Sequence, residues 1–350
     1  MHPHRVAAAL LLATCASLAG AQVSGQPIFK VGSAPFASSH ASTLVELKNG
    51  DLLAAWFGGS GEGHTDVAIW SARHTAAGWS APVELAREPD IACWNPVLFH
   101  SNDGRLWIYY KFGPSPSTWV GARRFSLDEG HTWSPAEHLP PGILGPIRAK
   151  PLVLDDGVIV SGTSFEAYHA WSIWMERSTD NGKTWTKIGP ILPAPGALGA
   201  TDPAETHGLI QPSVVQLAKG HLRLYARSTS DIARVCVSDS FDNGLTWTPV
   251  HALDVPNPNS GIDAVALRDG RVVLLYNNST TDRWPLNLAV SGDGEHFANF
   301  LTLEAKPGEF SYPAILQDSR GDLEITYTWN RKSIEYAQVP LAAVPHPAPN

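Results

Sequence analysis

Apolar and polar positions alternate along this chain in short bursts, not at helical spacing. Six times an apolar run stops at a polar stretch ending in glycine, and a second apolar run follows. The six are Leu44-Val-Glu-Leu-Lys-Asn-Gly50-Asp-Leu-Leu, Val97-Leu-Phe-His-Ser-Asn-Asp-Gly104-Arg-Leu-Trp, Leu152-Val-Leu-Asp-Asp-Gly157-Val-Ile-Val, Val214-Val-Gln-Leu-Ala-Lys-Gly220-His-Leu-Arg-Leu, Val265-Ala-Leu-Arg-Asp-Gly270-Arg-Val-Val-Leu and Ile315-Leu-Gln-Asp-Ser-Arg-Gly321-Asp-Leu-Glu-Ile. Each reads as a β-hairpin, because glycine supplies the φ > 0 conformation of a tight turn. The turn glycines lie 54, 53, 63, 50 and 51 residues apart. Several short strands per unit at a period of about 50 residues predict an all-β, six-bladed β-propeller.

A second motif falls within the same period. Ser126-Leu-Asp-Glu-Gly-His-Thr-Trp133, Ser178-Thr-Asp-Asn-Gly-Lys-Thr-Trp185 and Ser240-Phe-Asp-Asn-Gly-Leu-Thr-Trp247 share one pattern, with a shortened copy at Ser291-Gly-Asp-Gly-Glu-His-Phe297 and a worn one at Ser71-Ala-Arg-His-Thr-Ala-Ala-Gly-Trp79. The aspartate can accept N–H groups across a turn while the tryptophan packs between blades. A catalytic group is not repeated identically on successive units, so Asp128, Asp180 and Asp242 are read as scaffold.

Composition narrows the partners. An apolar fraction of 43% in 350 residues excludes a mostly disordered chain. A net charge of −8 argues against nucleic acid and anionic membrane surfaces, which call for basic patches. At the start, Arg5 precedes the apolar run Val6–Leu18 and the small-x-small triplet Ala19-Gly20-Ala21. That pattern predicts a cleavable signal peptide over residues 1–21, hence a secreted or periplasmic protein, and the run is too short to anchor in a bilayer. Cys93 and Cys236 either pair or stay as buried thiols. No CxxC or HExxH spacing occurs, so neither metal nor cofactor is expected. Pro340 to Asn350 is expected to be a flexible tail, because Pro-His-Pro-Ala-Pro lacks the donors to join a sheet.

The repeated S-x-D-x-G-x-T-W is the Asp-box, or BNR repeat. With six hairpin units, residues 33–339 resemble the six-bladed propeller of the sialidase (neuraminidase) superfamily. The resemblance implies a glycan partner, a monomer, and a site at the mouth where the inner strands begin. In that superfamily three arginines bind the sugar carboxylate, a tyrosine helped by a glutamate attacks, and an aspartate is the acid/base. By this resemblance Tyr312 stands for the nucleophile, Asp66 for the acid/base and Arg227 for the second arginine, with Arg283 or Asn277 and Asn278 at the third. His40 stands where the first arginine is expected, and Gln211 where the glutamate is expected.

Residues just before the predicted inner strands are the mouth candidates: His40, Trp94, Asn95, Arg148, Lys150, Gln211, Asp263 and Tyr312. His40 and His64 can titrate near neutrality and serve as acid or base. Glu205 can replace the missing glutamate beside Tyr312, and Lys111, Arg148 and Lys150 add cations that suit an acidic sugar. Trp94, Trp119, Trp171 and Trp329 can each stack on a sugar ring or pack in the core. Two function classes result. One is an exo-glycosidase on an acidic sugar, with a rhamnosidase or rhamnose–glucuronate lyase as its variant. The other is a non-catalytic glycan-binding propeller.

Overall fold

The computed structural model describes residues 23–167, 170–199 and 208–347. The predicted signal peptide and Glu205 therefore lie outside the described residues. Among the described residues strands make up 53% and helix 2%, in six antiparallel sheets set around an axis. The innermost strands are Ser38–Glu46, Cys93–His100, Leu152–Val153, Leu209–Ala218, Asp263–Ala266 and Phe310–Gln317, one for each predicted unit. All six predicted turn glycines have positive φ, from 82° to 108°. The ring closes where the exposed strand Ser24–Pro27 pairs with Ser333–Val339 as the outer edge of blade six.

The core is divided among the six interfaces between blades, one apolar cluster at each. Twisted sheets with both faces covered read as continuous apolar runs, which explains why the inner strands lack strict alternation. Each Asp-box fastens one such interface. Within the turn, Asp180 accepts Thr184 N at 2.9 Å and Thr184 Oγ1 at 2.7 Å, while Gly182 N donates to Ser178 Oγ at 2.8 Å. Gly182 lies so close to the Tyr109 hydroxyl of blade two that a Cβ there would stand 2.9 Å from it. Equivalent glycines at 130, 244 and 294 meet Leu53, Val160 and Tyr225 of the preceding blade.

One open alternative is decided and one expectation changes. Cys93 and Cys236 are separate buried thiols in the cores of different blades. The expected tail is docked over its first half. Val344 is 3% exposed in the core of blades five and six, and Arg271 donates to the carbonyls of Val344 and Pro345 at 2.5 and 3.0 Å. Lacking its own donors, the proline-rich segment is held by a side chain that reaches out to its carbonyls.

Candidate functional site

Four inner strands share a backbone device. Ala41, Asn95, Gln211 and Tyr312 have φ of 56°, 35°, 55° and 50°, and the pairing register shifts at each of them. Three of the four precede proline, which cannot donate to the ladder, so the strand bulges and re-aims the side chain. Left-handed backbone at non-glycine residues is costly, and such residues cluster at functional sites.

Tyr312, on the innermost strand of blade six, is the centre of the cluster. Arg227 Nη1 donates to its Oη at 2.7 Å and Gln211 Nε2 donates at 3.2 Å. Arg227 also donates to Gln211 Oε1 at 3.2 Å and to Asn259 Oδ1 at 2.7 Å. Two donors on one phenol oxygen occupy its acceptor positions, so its proton must point elsewhere. The guanidinium carbons of Arg148, Arg227 and Arg283 lie 5.4, 5.7 and 5.8 Å from the centre of the Tyr312 ring. The His40 ring lies against it at 4.2 Å. His40 Nδ1 shares a hydrogen bond with Thr328 Oγ1 at 2.9 Å, while its buried Nε2 has no partner among the described residues. Burial, then Arg331, Arg283, Arg148 and Arg227, hold His40 well below the usual histidine range, so it is neutral at ordinary pH.

Other expected residues are built into the walls. Arg148 is buried, donates to the Ile262 carbonyl at 2.6 Å and to that of Pro313, and so braces the strand beneath Tyr312. Asp263 is 1% exposed and accepts Ser213 Oγ, Lys150 Nζ and Ile315 N at 2.7, 2.9 and 3.0 Å, tying blades three to six together. Lys150 and Asp263 also line a cavity of about 450 Å³ that extends down the axis to Arg268 and Gln317. Lys111 is buried, donates to the Pro146 carbonyl, and is pushed by that burial down to about 7, with Glu176 and Glu166 opposing. It therefore presents no free cation to the mouth. Trp94 is buried between Phe57 and Trp119, its Nε1 donating to the Gly113 carbonyl at 2.8 Å. Asn95 is buried at its bulge. Of the four tryptophans, Trp171 stands beside Arg227, at 5.7 Å from its guanidinium carbon.

Asp66 and His64 form a group of their own in the loop after the strand Leu52–Gly59. Asp66 accepts Ser60 N and Oγ at 2.8 Å each, and Ser60 Oγ also meets His64 Nδ1 at 2.8 Å. Although burial opposes it, these bonds hold the Asp66 carboxyl below its ordinary value. Among the described residues no contact joins Asp66 to Tyr312.

Sequence reasoning missed four charged residues, Arg331, Glu309, Glu62 and Glu166. Arg331 donates from Nε to Glu309 Oε1 and Oε2 at 2.9 and 3.0 Å and from Nη1 to Glu62. Arg283 shares Glu309 at 2.9 Å, so the two guanidinium groups flank one carboxylate beside the tyrosine. Glu166 accepts a hydrogen bond from Gln211, and burial raises it above the usual carboxylate range against the pull of Arg227. Arg331 lies in the turn between the strands Leu323–Trp329 and Ser333–Val339 of blade six, and Glu309 and Glu62 lie in loops; none shows a motif. The one sequence hint is Asn330-Arg331, a pair with φ of 49° and 54°.

The fold is a six-bladed β-propeller built from BNR-type repeats. A BNR repeat-like domain matches residues 50–325, and the chain belongs to that family. The NanB sialidase from Streptococcus pneumoniae superposes with a TM-score of 0.75 at 14% identity, covering 91% of this chain and 71% of that one. The intramolecular trans-sialidase from Ruminococcus gnavus gives 0.72 at 14% identity, covering 91% and 98%. A protein of unknown function from Dyadobacter fermentans gives 0.73 at 16%, covering 90% and 99%. Among curated proteins no sequence matches.

Proposed function

We propose that this protein is an exported enzyme acting on a glycan that carries a carboxylate, with the reacting sugar seated over Tyr312. The observation that supports this most is the convergence of Arg227 and Gln211 on Tyr312 Oη, with Arg283 against the ring and, beside it, a neutral His40 that itself feels Arg331. Guanidinium forks bind carboxylates through paired, charge-assisted hydrogen bonds, which supply both affinity and orientation. Structural likeness to sialidases from other organisms supports a glycan as partner.

In this reading Tyr312 Oη bonds to the anomeric carbon as the glycosidic C–O bond breaks, and its phenol proton passes to solvent while Arg227 balances charge on the oxygen. The leaving oxygen takes a proton through Asp66, which swings in from its loop, and water then displaces the tyrosine to release the sugar. Gln211 cannot take a proton, so it positions Tyr312 instead of activating it. The test is release of sugar from sialosides, rhamnosides and glucuronides by the purified protein. Tyr312→Phe should lower kcat by at least about 10²-fold with an unchanged melting temperature, the scale for loss of one positioned catalytic group. A Phe variant with full activity, or a protein that binds these glycans without turnover, would leave a glycan-binding propeller.

A second reading, β-elimination at a uronate, is favoured by two observations: Gln211 replaces a base, and His40 is held neutral beside Tyr312. Here the proton at C5 leaves to a base, the bond from C4 to the leaving oxygen breaks, and a C4=C5 double bond forms. The near-ultraviolet absorbance of that unsaturated product separates lyase from hydrolase.

A further inference from the structure

Arg331 already holds a carboxylate on each side of its guanidinium, Glu309 and Glu62. Its main-chain oxygen accepts Ser39 N at 2.9 Å, next to His40, and Asn330 is clipped to Glu309 by bonds of 2.7 and 2.9 Å. Its Nε side is paired to Glu309, which also takes Arg283 at 2.9 Å and Ser311 Oγ at 3.2 Å. This part is rigid and shared. The Nη1 side turns the other way and takes Glu62, which comes from the neighbouring blade one across the ring closure, 269 residues away in sequence. Both side chains are partly open to solvent, 29% for Arg331 and 35% for Glu62, so an incoming solute can reach the pair.

Glu62 sits at the tip of the loop that carries Asp66. The rest of that loop is held by short local bonds and one outside tie: Ser60 binds Asp66 and His64, His64 N donates to the Gly61 carbonyl at 3.1 Å, and Arg87 Nη1 donates to the Asp66 carbonyl at 3.0 Å. Gly63 rests on the Trp94 ring, where an added Cβ would find 3.4 Å. Among the described residues, the Glu62–Arg331 pair is the only ion pair between this loop tip and the rest of the mouth. An exposed or half-exposed pair of this kind is weak and readily exchanged.

We infer that Glu62 is a built-in stand-in for the ligand's carboxylate: an acidic sugar bound over Tyr312 displaces it from Arg331 and thereby releases the tip of the loop that carries Asp66. This rests on the reading of the mouth as an acid-sugar site. Arg227, Arg283 and Arg331 then face the ligand from blades four, five and six, and the third guanidinium comes from blade six instead of from the position held by His40. Specificity follows from the exchange. A ligand with a carboxylate replaces one ion pair with another, whereas a neutral sugar must break the latch without compensation or leave it shut.

The test is calorimetric titration of the whole mature protein with glucuronate, N-acetylneuraminate and glucose as probes. Glu62→Gln keeps the side chain's shape and removes its charge. It should tighten one of the two acids by about tenfold, the effect of removing a competitor worth about 1.4 kcal/mol, and leave glucose unchanged. Arg331→Gln should weaken the same acid by at least about tenfold with the melting temperature preserved. If the wild type binds an acid in a manner abolished by Arg227→Gln, yet Glu62→Gln binds it no tighter, the latch is wrong and the acid-sugar site stands. If neither wild type nor Glu62→Gln binds either acid, the acid-sugar reading fails, and the latch with it. A Glu62→Gln variant that binds all probes more weakly and melts lower shows the pair to be structural and overturns the inference.

Discussion

At the scale of single residues, charge in this mouth is governed by what each group already touches. Three arginines surround Tyr312 and a fourth, Arg331, lies near His40, yet Arg148 is spent on two backbone carbonyls, and Arg283 and Arg331 share Glu309. Arg227 alone among them bonds the tyrosine oxygen. The thiols obey the same logic. Burial pushes both Cys93 and Cys236 up to about 12, so neither forms thiolate at neutral pH. The folded protein should therefore not react with a thiol reagent at pH 7, whereas the denatured chain should take up two equivalents at these positions. Rapid labelling of the native protein would show that its core opens locally.

At the scale of elements, the Asp-box is a turn held together by one carboxylate and one hydroxyl. Asp180 and Asp242 sit at about 2; some burial works against this, and hydrogen bonds from the following threonine and the preceding serine produce it. Since these values lie below the ordinary 3.8, the stabilisation is complete above about pH 4 and is lost as pH falls toward 2. A melting curve measured from pH 6 down should fall most steeply below about pH 4, and less steeply in a variant lacking a box aspartate. Asp180→Ala should cost about 1–3 kcal/mol through unsatisfied turn amides, with activity per folded molecule retained. Loss of all turnover in that folded variant would give the boxes a role in chemistry. The inner-strand bulge is the other recurrent element, and it converts an X-Pro pair into an inward-aimed Asn95, Gln211 or Tyr312.

At the scale of the whole molecule, stability depends on closing the ring. The closing strand Ser24–Pro27 is exposed along its length and contributes four paired residues but no core. Next to it, Ile28 and Phe29 are buried between blades six and one, with Phe29 stacked on Trp56 at 5.2 Å. Removing residues through Pro27 should therefore cost only about 1–4 kcal/mol, from four cross-strand pairs. Phe29→Ala should cost about 3–5 kcal/mol, as expected of a buried aromatic. Denaturant titrations of the two variants rank them directly. A larger loss from the strand deletion would place ring closure in backbone pairing instead of packing.

Local chemistry was enough to read the repeat, the turns and the scaffold role of the box aspartates, because each depends on residues within about ten positions of one another. The glycines, the Asp-boxes and the apolar runs are such signals. Tyr312, Gln211, Arg227 and His40 were also legible, since each opens an inner strand or follows the hairpin turn of its repeat. What the chain could not disclose was which charges cancel. Whether Lys150 is free or bound to Asp263, whether Lys111 faces ligand or the Pro146 carbonyl, and that Arg331 meets Glu62 depend on side chains 113, 35 and 269 residues apart. Such pairings have no period and no motif. Only the closed ring, which brings six strand ends to one axis, decided them.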